Sequence, residues 1–199
     1  MRYIQFSRLL ELSKLPKAYH KPIKLIPVEL DKDVYNELVE IKQNICEFVE
    51  NGKNLYIAST TPGNAKTTWS AKLMLSYFDK VWPRSYDVTK GLFVYVPSFL
   101  LDIKNFDERP EYIDRIKDAD LVIWDDIAID KLSSFEHEQL LQFIDYRIQN
   151  GLSNIYTSNI VDFETLKNFI GGRLASRVYN TAEVVIFNAK DYRSVGGLL

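Results

Sequence analysis

Residues 55–73 read LYIASTTPGNAKTTWSAKL. An apolar run leads into a turn of small residues, a Lys-Thr pair and then a helical pattern. This is the layout of a phosphate-binding loop, G-x-x-x-x-G-K-[ST]. Thr60 stands where that pattern has its first glycine, and Ala65 where it has its second. Pro62-Gly63 still specify a sharp turn, and Ala65 adds only one methyl group. Such a loop (Thr61, Pro62, Gly63, Asn64, Ala65, Lys66, Thr67 and Thr68) wraps phosphates with backbone N–H groups and a helix N-terminus. Lys66 would reach the β- and γ-phosphates and the Thr67 hydroxyl would meet Mg²⁺. A plain strand–turn–helix junction with a surface lysine has the same spelling, so the rest of the chain decides.

Outward from the loop, apolar runs alternate with helical segments. LFVYV (92–96), DLVIWDD (120–126), SNIYTSN (153–159) and EVVIF (183–187) read as strands after the first, NLYIAS (54–59). Lys66 to about Asp79 is helical, short helices are expected between Pro97 and Asp118, and Ser133-x-x-Glu136 is a capping box opening a helix to Asn150-Gly151. Two short helices follow over 162–179. Upstream, Asp31 reads as an N-cap for one amphipathic helix carrying Val34, Leu38, Ile41, Ile45 and Phe48, ending near Asn51-Gly52. Short, continuously apolar strands separated by helices indicate a parallel sheet covered on both faces, an α/β fold.

Bulk properties limit the alternatives. The chain has 199 residues, enough for one ordinary domain, with 46% hydrophobic and 26% charged residues, as in soluble globular proteins. No apolar run approaches the ~20 residues of a membrane helix, no secretory signal is evident, and the single Cys46 excludes an intrachain disulfide framework. A cytoplasmic protein with no membrane partner is expected. Net charge is −2, but residues 1–24 carry Arg2, Arg8, Lys14, Lys17, Lys21 and Lys24 against Glu11 alone. With Pro16, Pro22 and Pro27, residues 1–30 read as a basic arm leading into a core over 31–199.

Three further constellations carry chemistry. Asp125 and Asp126 end a buried strand about 60 residues after Lys66, where doubly wound sheets bind ligands; one carboxylate can hold Mg²⁺ while its neighbour orients or deprotonates water. Thr157, Ser158 and Asn159 end another strand, and an amide there can hydrogen-bond a γ-phosphate or a water. Arg173 and Arg177 stand four residues apart on one helical face, suited to bidentate phosphate contact. Taken singly, these motifs also describe a polar strand end and two solvated arginines.

Taken together and in order, the motifs resemble the AAA+ ATPases, specifically the DnaC/DnaI-type replicative-helicase loaders of bacteria and phages. The resemblance spans nearly the whole chain from about Pro22. It rests on NLYIASTTPGNAKTTWSAKL as Walker A, ADLVIWDDI as Walker B, SNIYTSN as sensor 1 and GGRLASRVYN as the arginine-finger segment, with NAKDYRS resembling the loaders' closing segment. It implies a three-layer P-loop sandwich whose five-stranded parallel sheet has the order 5-1-4-3-2, with no C-terminal lid domain. It implies ATP or ADP with Mg²⁺ held by Thr67 and Asp125. Asp126, Asn159 and Lys66 become catalytic, Arg177 the finger on a neighbouring subunit's ATP, and Arg173 its support or a further phosphate contact. The implied partners are a hexameric replicative helicase, single-stranded DNA and further copies assembling alone or on the helicase.

For DNA the family points to the insertion over 97–117, with Lys104, Phe106, Arg109, Arg115 and Lys117 interleaved with Asp102, Asp107, Glu108, Glu111 and Asp114. P-G-x-A-K-[ST] also occurs in MCM-like and MoxR-like branches; Thr60 is the less usual replacement. Other readings stand beside the loader. A nucleotide kinase shares the P-loop α/β layout, an IstB-type transposition ATPase shares the core motifs, and a nucleotide-binding module with little or no hydrolysis would recruit or block a replication protein.

Overall fold

Runs that are apolar at consecutive positions form strands only where both faces are covered. The computed structural model, which describes residues 2–21, 25–26, 28–61, 63, 65–82, 89–104, 112–128 and 132–188, has that arrangement. Strands β1 (Asn54–Ala58), β2 (Gly91–Tyr95), β3 (Leu121–Asp125), β4 (Ser153–Ser158) and β5 (Ala182–Ile186) form one all-parallel sheet. Its order is β2-β3-β4-β1-β5, the expected 5-1-4-3-2 read from the other edge. Ala58 pairs with Ser158 and Trp124 with Tyr156. The C-terminal ends of β1, β4 and β3 therefore finish together, with β4 in the middle.

One face is covered by α1 (Arg2–Leu12), α2 (Lys32–Gln43), α3 (Ile45–Glu50) and α4 (Lys66–Val81). Leu38, Phe48, Trp69 and Phe78 pack there in one core with Leu55, Ile57, Ile123 and Ile155. The other face carries α5 (Val96–Asp102), α6 (Tyr112–Asp118), α7 (Ser134–Gln149), α8 (Phe163–Ile170) and α9 (Gly172–Tyr179). Phe99, Ile116, Phe143, Leu166 and Leu174 share its core with Tyr56, Val122, Trp124 and Tyr156. Alternate residues of each strand feed opposite cores, as the period of two requires. The result is a three-layer α/β sandwich.

The expected capping box is formed: Ser133 Oγ accepts from the Glu136 N–H, and the Ser133 N–H donates to Glu136 Oε2. Gly171 separates α8 from α9 at φ +80°, and a Cβ there would stand 3.0 Å from the His137 ring.

Two upstream segments differ from expectation. The helix foreseen from Asp31 to Gly52 is broken at Asn44 into α2 and α3. Asp31 makes no side-chain cap; its Oδ1 instead accepts the Asn188 N–H at 2.7 Å, tying the chain beyond β5 to the start of α2. Residues 2–21 do not form a free basic arm either. Leu9, Leu15 and Leu25 are buried in the first core, and the Phe93 N–H on edge strand β2 donates to Ser13 O at 2.7 Å. Lys14, Lys17 and Lys21 stay exposed. Each buried leucine contributes about 1.5–3 kcal/mol, enough to dock a segment in which Arg8, Glu11, Lys14, Lys17 and Lys21 all face solvent.

Candidate functional site

The site starts where β1 leaves the sheet. The Thr61 N–H donates to Ser59 Oγ at 3.1 Å, holding the strand exit in a tight turn. Gly63 has φ +86°, and Ala65, immediately before α4, has φ +61°. The second glycine position of the pattern thus demands left-handed backbone, so the change to alanine involves more than added bulk. An L-residue held there costs about 1–2 kcal/mol. Lys66 is buried, its Nζ 3.5 Å from Thr61 O. Thr68, expected beside the ligand, is buried, while Thr67 on the first turn of α4 points to β3. Pro62 and Asn64 lie outside the described residues.

Across β4 from the loop, Asp125 ends β3 only 5% exposed. Its Oδ1 accepts from Thr67 Oγ1 and from Thr157 Oγ1, each at 2.8 Å. The Thr157 oxygen in turn accepts the Asp126 N–H at 2.9 Å, and Thr157 O accepts the Ile127 N–H. One hydroxyl therefore fixes two consecutive acidic residues. Asp126 has φ +58°, a conformation aspartate tolerates better than most residues. The bonds that the Asp126 and Ile127 N–H groups donate to Thr157 turn the chain sharply as it leaves the strand.

Burial pushes Asp125 up to about 6; the bonds from Thr67 and Thr157 and the Lys66 charge oppose this, while Asp126 adds to it. Burial also raises Asp126, again against Lys66. Lys66 and both carboxylates thus share one electrostatic environment. Asn159 follows Ser158 and is exposed at the same edge. The structure accordingly gathers Lys66, Thr67, Asp125, Asp126 and Asn159 at the C-terminal ends of three adjacent strands. Thr67 and Asp125 offer two oxygens to a cation beside a lysine for phosphate. That donor set suits Mg²⁺, which takes few protein ligands and completes its shell with water and phosphate oxygens.

Arg173 and Arg177 are not part of this cluster. Both pair with Asp145 of α7, Arg173 Nη2 at 3.4 Å and Arg177 Nε at 2.5 Å. In the 97–117 insertion, Lys104 pairs with Glu136 at 2.9 Å and the Lys117 Nζ lies 5.3 Å from the centre of the Tyr146 ring. Phe106, Arg109 and most of the acidic residues expected around them lie outside the described residues, as does the closing segment after Asn188.

Sequence reading missed two contributors. Thr157 was visible only as part of a polar strand end. Asp145 gives no signal, because an acid in mid-helix reads as solvated surface.

A loop lysine at the exit of β1 and a carboxylate pair at the end of β3, in a 5-1-4-3-2 parallel sheet, define the P-loop α/β class. No family model matches the sequence, and no curated protein matches it. Solved structures do. A DnaC helicase loader is 19% identical, with 91% of this chain and 99% of that chain covered at a TM-score of 0.69. DnaI is 21% identical, with 92% and 98% covered at 0.71. A "putative primosome component" from Streptococcus pyogenes serotype M3 is 25% identical, with 97% and 100% covered at 0.70. The chain has the AAA+ fold in the form found in DnaC/DnaI-type loaders. No helix among the described residues is long and apolar enough to cross a membrane.

Proposed function

We propose that this chain is an ATP-dependent loader of a replicative helicase onto single-stranded DNA. The observation that carries the reading is the Thr67–Asp125 contact across β4, at 2.8 Å and under the charge of Lys66. It joins the phosphate loop to the acid-bearing strand at the edge where doubly wound sheets take ligands. The likeness of fold to a DnaC helicase loader over nearly the full length of both chains supports the choice of partner. ATP or ADP binds along 61–68 through loop amides and Lys66, with Mg²⁺ on Thr67 and Asp125. A cation held by Thr67 and Asp125 would supply charge neutralisation of the phosphates. Asp126 orients or deprotonates that water, Asn159 contacts it or the γ-phosphate, and Arg177, supported by Arg173, acts on the nucleotide of a neighbouring copy.

Closed single-stranded DNA circles test this reading, because a ring helicase reaches them only if it is opened. With the cognate hexameric helicase and ATP, the wild-type chain yields helicase-bound circles and Lys66→Ala does not. Equal yields with and without the chain refute loading.

The loop supports a second reading. Ala65 at φ +61° and Thr60 in place of glycine favour a nucleotide-binding module with little or no hydrolysis that recruits or blocks a replication protein. Tight Mg²⁺-ATP binding without turnover, even with helicase and DNA present, selects it. Co-purification with a transposase in place of a helicase selects an IstB-type helper.

A further inference from the structure

Two cations on α9 converge on one carboxylate of α7. Arg173 and Arg177 are four residues apart, one turn, and like charges so placed repel. Asp145 lies between them with a side chain only 13% exposed. The elements around it are committed to the core: Leu141, Ile144 and Arg147 on α7, and Leu174, Ala175 and Val178 on α9, are buried. A carboxylate on that side of α7 carries a desolvation cost, which a specific charged partner must offset.

The geometry of the pair is unequal. Arg173 reaches Asp145 Oδ2 through a terminal nitrogen at 3.4 Å and is 70% exposed. Arg177 is engaged through Nε, the inner nitrogen, 2.5 Å from Oδ1, and is 41% exposed. The Nε–H direction misses that oxygen, which is buried and has no aligned hydrogen bond, so charge holds the contact. Among the described residues, the two Nη nitrogens of Arg177 have no hydrogen-bond acceptor. A guanidinium held by charge on its Nε side keeps its outer fork free for a second anion.

We propose that Asp145 is a positioning residue for the arginine pair: it neutralises the repulsion between Arg173 and Arg177 and holds Arg177 by charge on its Nε side. The outer nitrogens of Arg177 are thereby presented off the molecule to the nucleotide polyphosphate held by a second copy of this chain. The inference rests on the proposed role of Arg177 between subunits. Asp145 itself touches no nucleotide; it acts on a neighbour's site through α9 of its own chain.

The test is ATP turnover by the full chain with helicase and single-stranded DNA, comparing wild type, Asp145→Asn, Asp145→Glu and Arg177→Ala. Each variant is also mixed with Lys66→Ala. Loss of orientation lowers kcat for Asp145→Asn about tenfold with KM for ATP within about twofold. Asp145→Glu keeps the charge and recovers at least about half of the turnover. Mixing restores Asp145→Asn, because a Lys66→Ala neighbour lends an intact arginine pair to its occupied site. A general folding defect would not be restored by a partner. Wild-type turnover by Asp145→Asn, increased turnover, or no recovery on mixing overturns the proposal. Should Asp145→Asn fail to fold, Asp145→Ser replaces it with the same expected outcomes. The Arg177→Ala arm separates the two levels. If Arg177→Ala is fully active, or is not restored by Lys66→Ala, the intersubunit role of Arg177 fails and Asp145 falls with it. If Arg177→Ala behaves as expected and Asp145→Asn is unimpaired, only the role of Asp145 fails.

Discussion

The two ends of β3 and β4 are built from similar polar residues and behave in opposite ways. At the N-terminal end, Arg147 of α7 is fully buried, with no carboxylate in hydrogen-bonding contact among the described residues. Its Nη1 donates to Ile116 O and Ala119 O, each at 2.7 Å, its Nη2 to Ser153 O at 2.6 Å, and its Nε to Asn154 Oδ1 at 2.7 Å. Trp124 Nε1 shares that Asn154 oxygen, while Asn154 Nδ2 donates to Asn54 Oδ1 and Leu152 O. Each of these donors and acceptors has its partner within the chain, although the nearby Tyr156 hydroxyl is buried without one among the described residues. At the C-terminal end, Asp125 is pushed up to about 6, and Ala65 and Asp126 have positive φ. A satisfied buried network specifies structure. A strained, electrostatically unsettled one stores what a ligand would relieve.

The largest expected effect breaks the settled end. Arg147→Met keeps the volume but leaves four buried acceptors short of a donor, and stability falls by about 3–5 kcal/mol in urea unfolding. A loss below about 1 kcal/mol would mean the network contributes little to the fold. Mg²⁺-ADP affinity per folded molecule is expected to be unchanged.

Asp125→Asn probes the other end and has the opposite sign. Burial pushes the folded carboxyl up to about 6 from its ordinary 3.8. The ligand-free native state therefore binds more protons than the unfolded chain between those values. Stability from this group is fully present below the unfolded value and is lost as pH rises through the folded one. The variant should thus be more stable than wild type by about 2 kcal/mol at pH 8, with the gain vanishing near pH 4. Thermal melts across that range without ligand measure it; a variant less stable at pH 8 contradicts it. With Mg²⁺-ADP the order reverses, because only wild type offers a carboxylate to the cation.

Thr157→Val tests the joint between β3 and β4. It leaves the Asp126 N–H without its acceptor and removes a bond that lowers the Asp125 pKa. Stability drops by about 1–2 kcal/mol, and the pH midpoint for Mg²⁺-ADP binding moves upward. An unmoved midpoint would separate Thr157 from the acid pair. The smallest effect belongs to Ala65→Gly, which relieves the left-handed strain against a small entropic loss and stabilises by about 0.5–1 kcal/mol.

These contrasts also explain what could be read in advance. The strands, the capping box and the acid pair were legible because continuous apolar runs, Ser133-x-x-Glu136 and Asp125-Asp126 are local patterns, whereas the strand order was implied only by the resemblance to the loaders. The docking of residues 2–21 was not, because the charges of Arg8 and Lys14 are more conspicuous than the buried faces of Leu9 and Leu15. Arg147 and Asp145 read as surface residues of α7, since nothing local shows that carbonyls from α6 and β4, or cations from α9, will face them. Thr157 is informative only once β4 is known to run between β1 and β3.

The central claim is that the C-terminal edge of β1, β4 and β3 binds Mg²⁺-nucleotide, and calorimetric titration of Mg²⁺-ATP and Mg²⁺-ADP into wild type and Lys66→Ala tests it most directly. Saturable 1:1 binding by wild type, weakened at least about 100-fold in a folded Lys66→Ala (about 2.7 kcal/mol), is the predicted result. A folded wild-type protein that binds neither nucleotide, or a Lys66→Ala variant that binds as well, would contradict it.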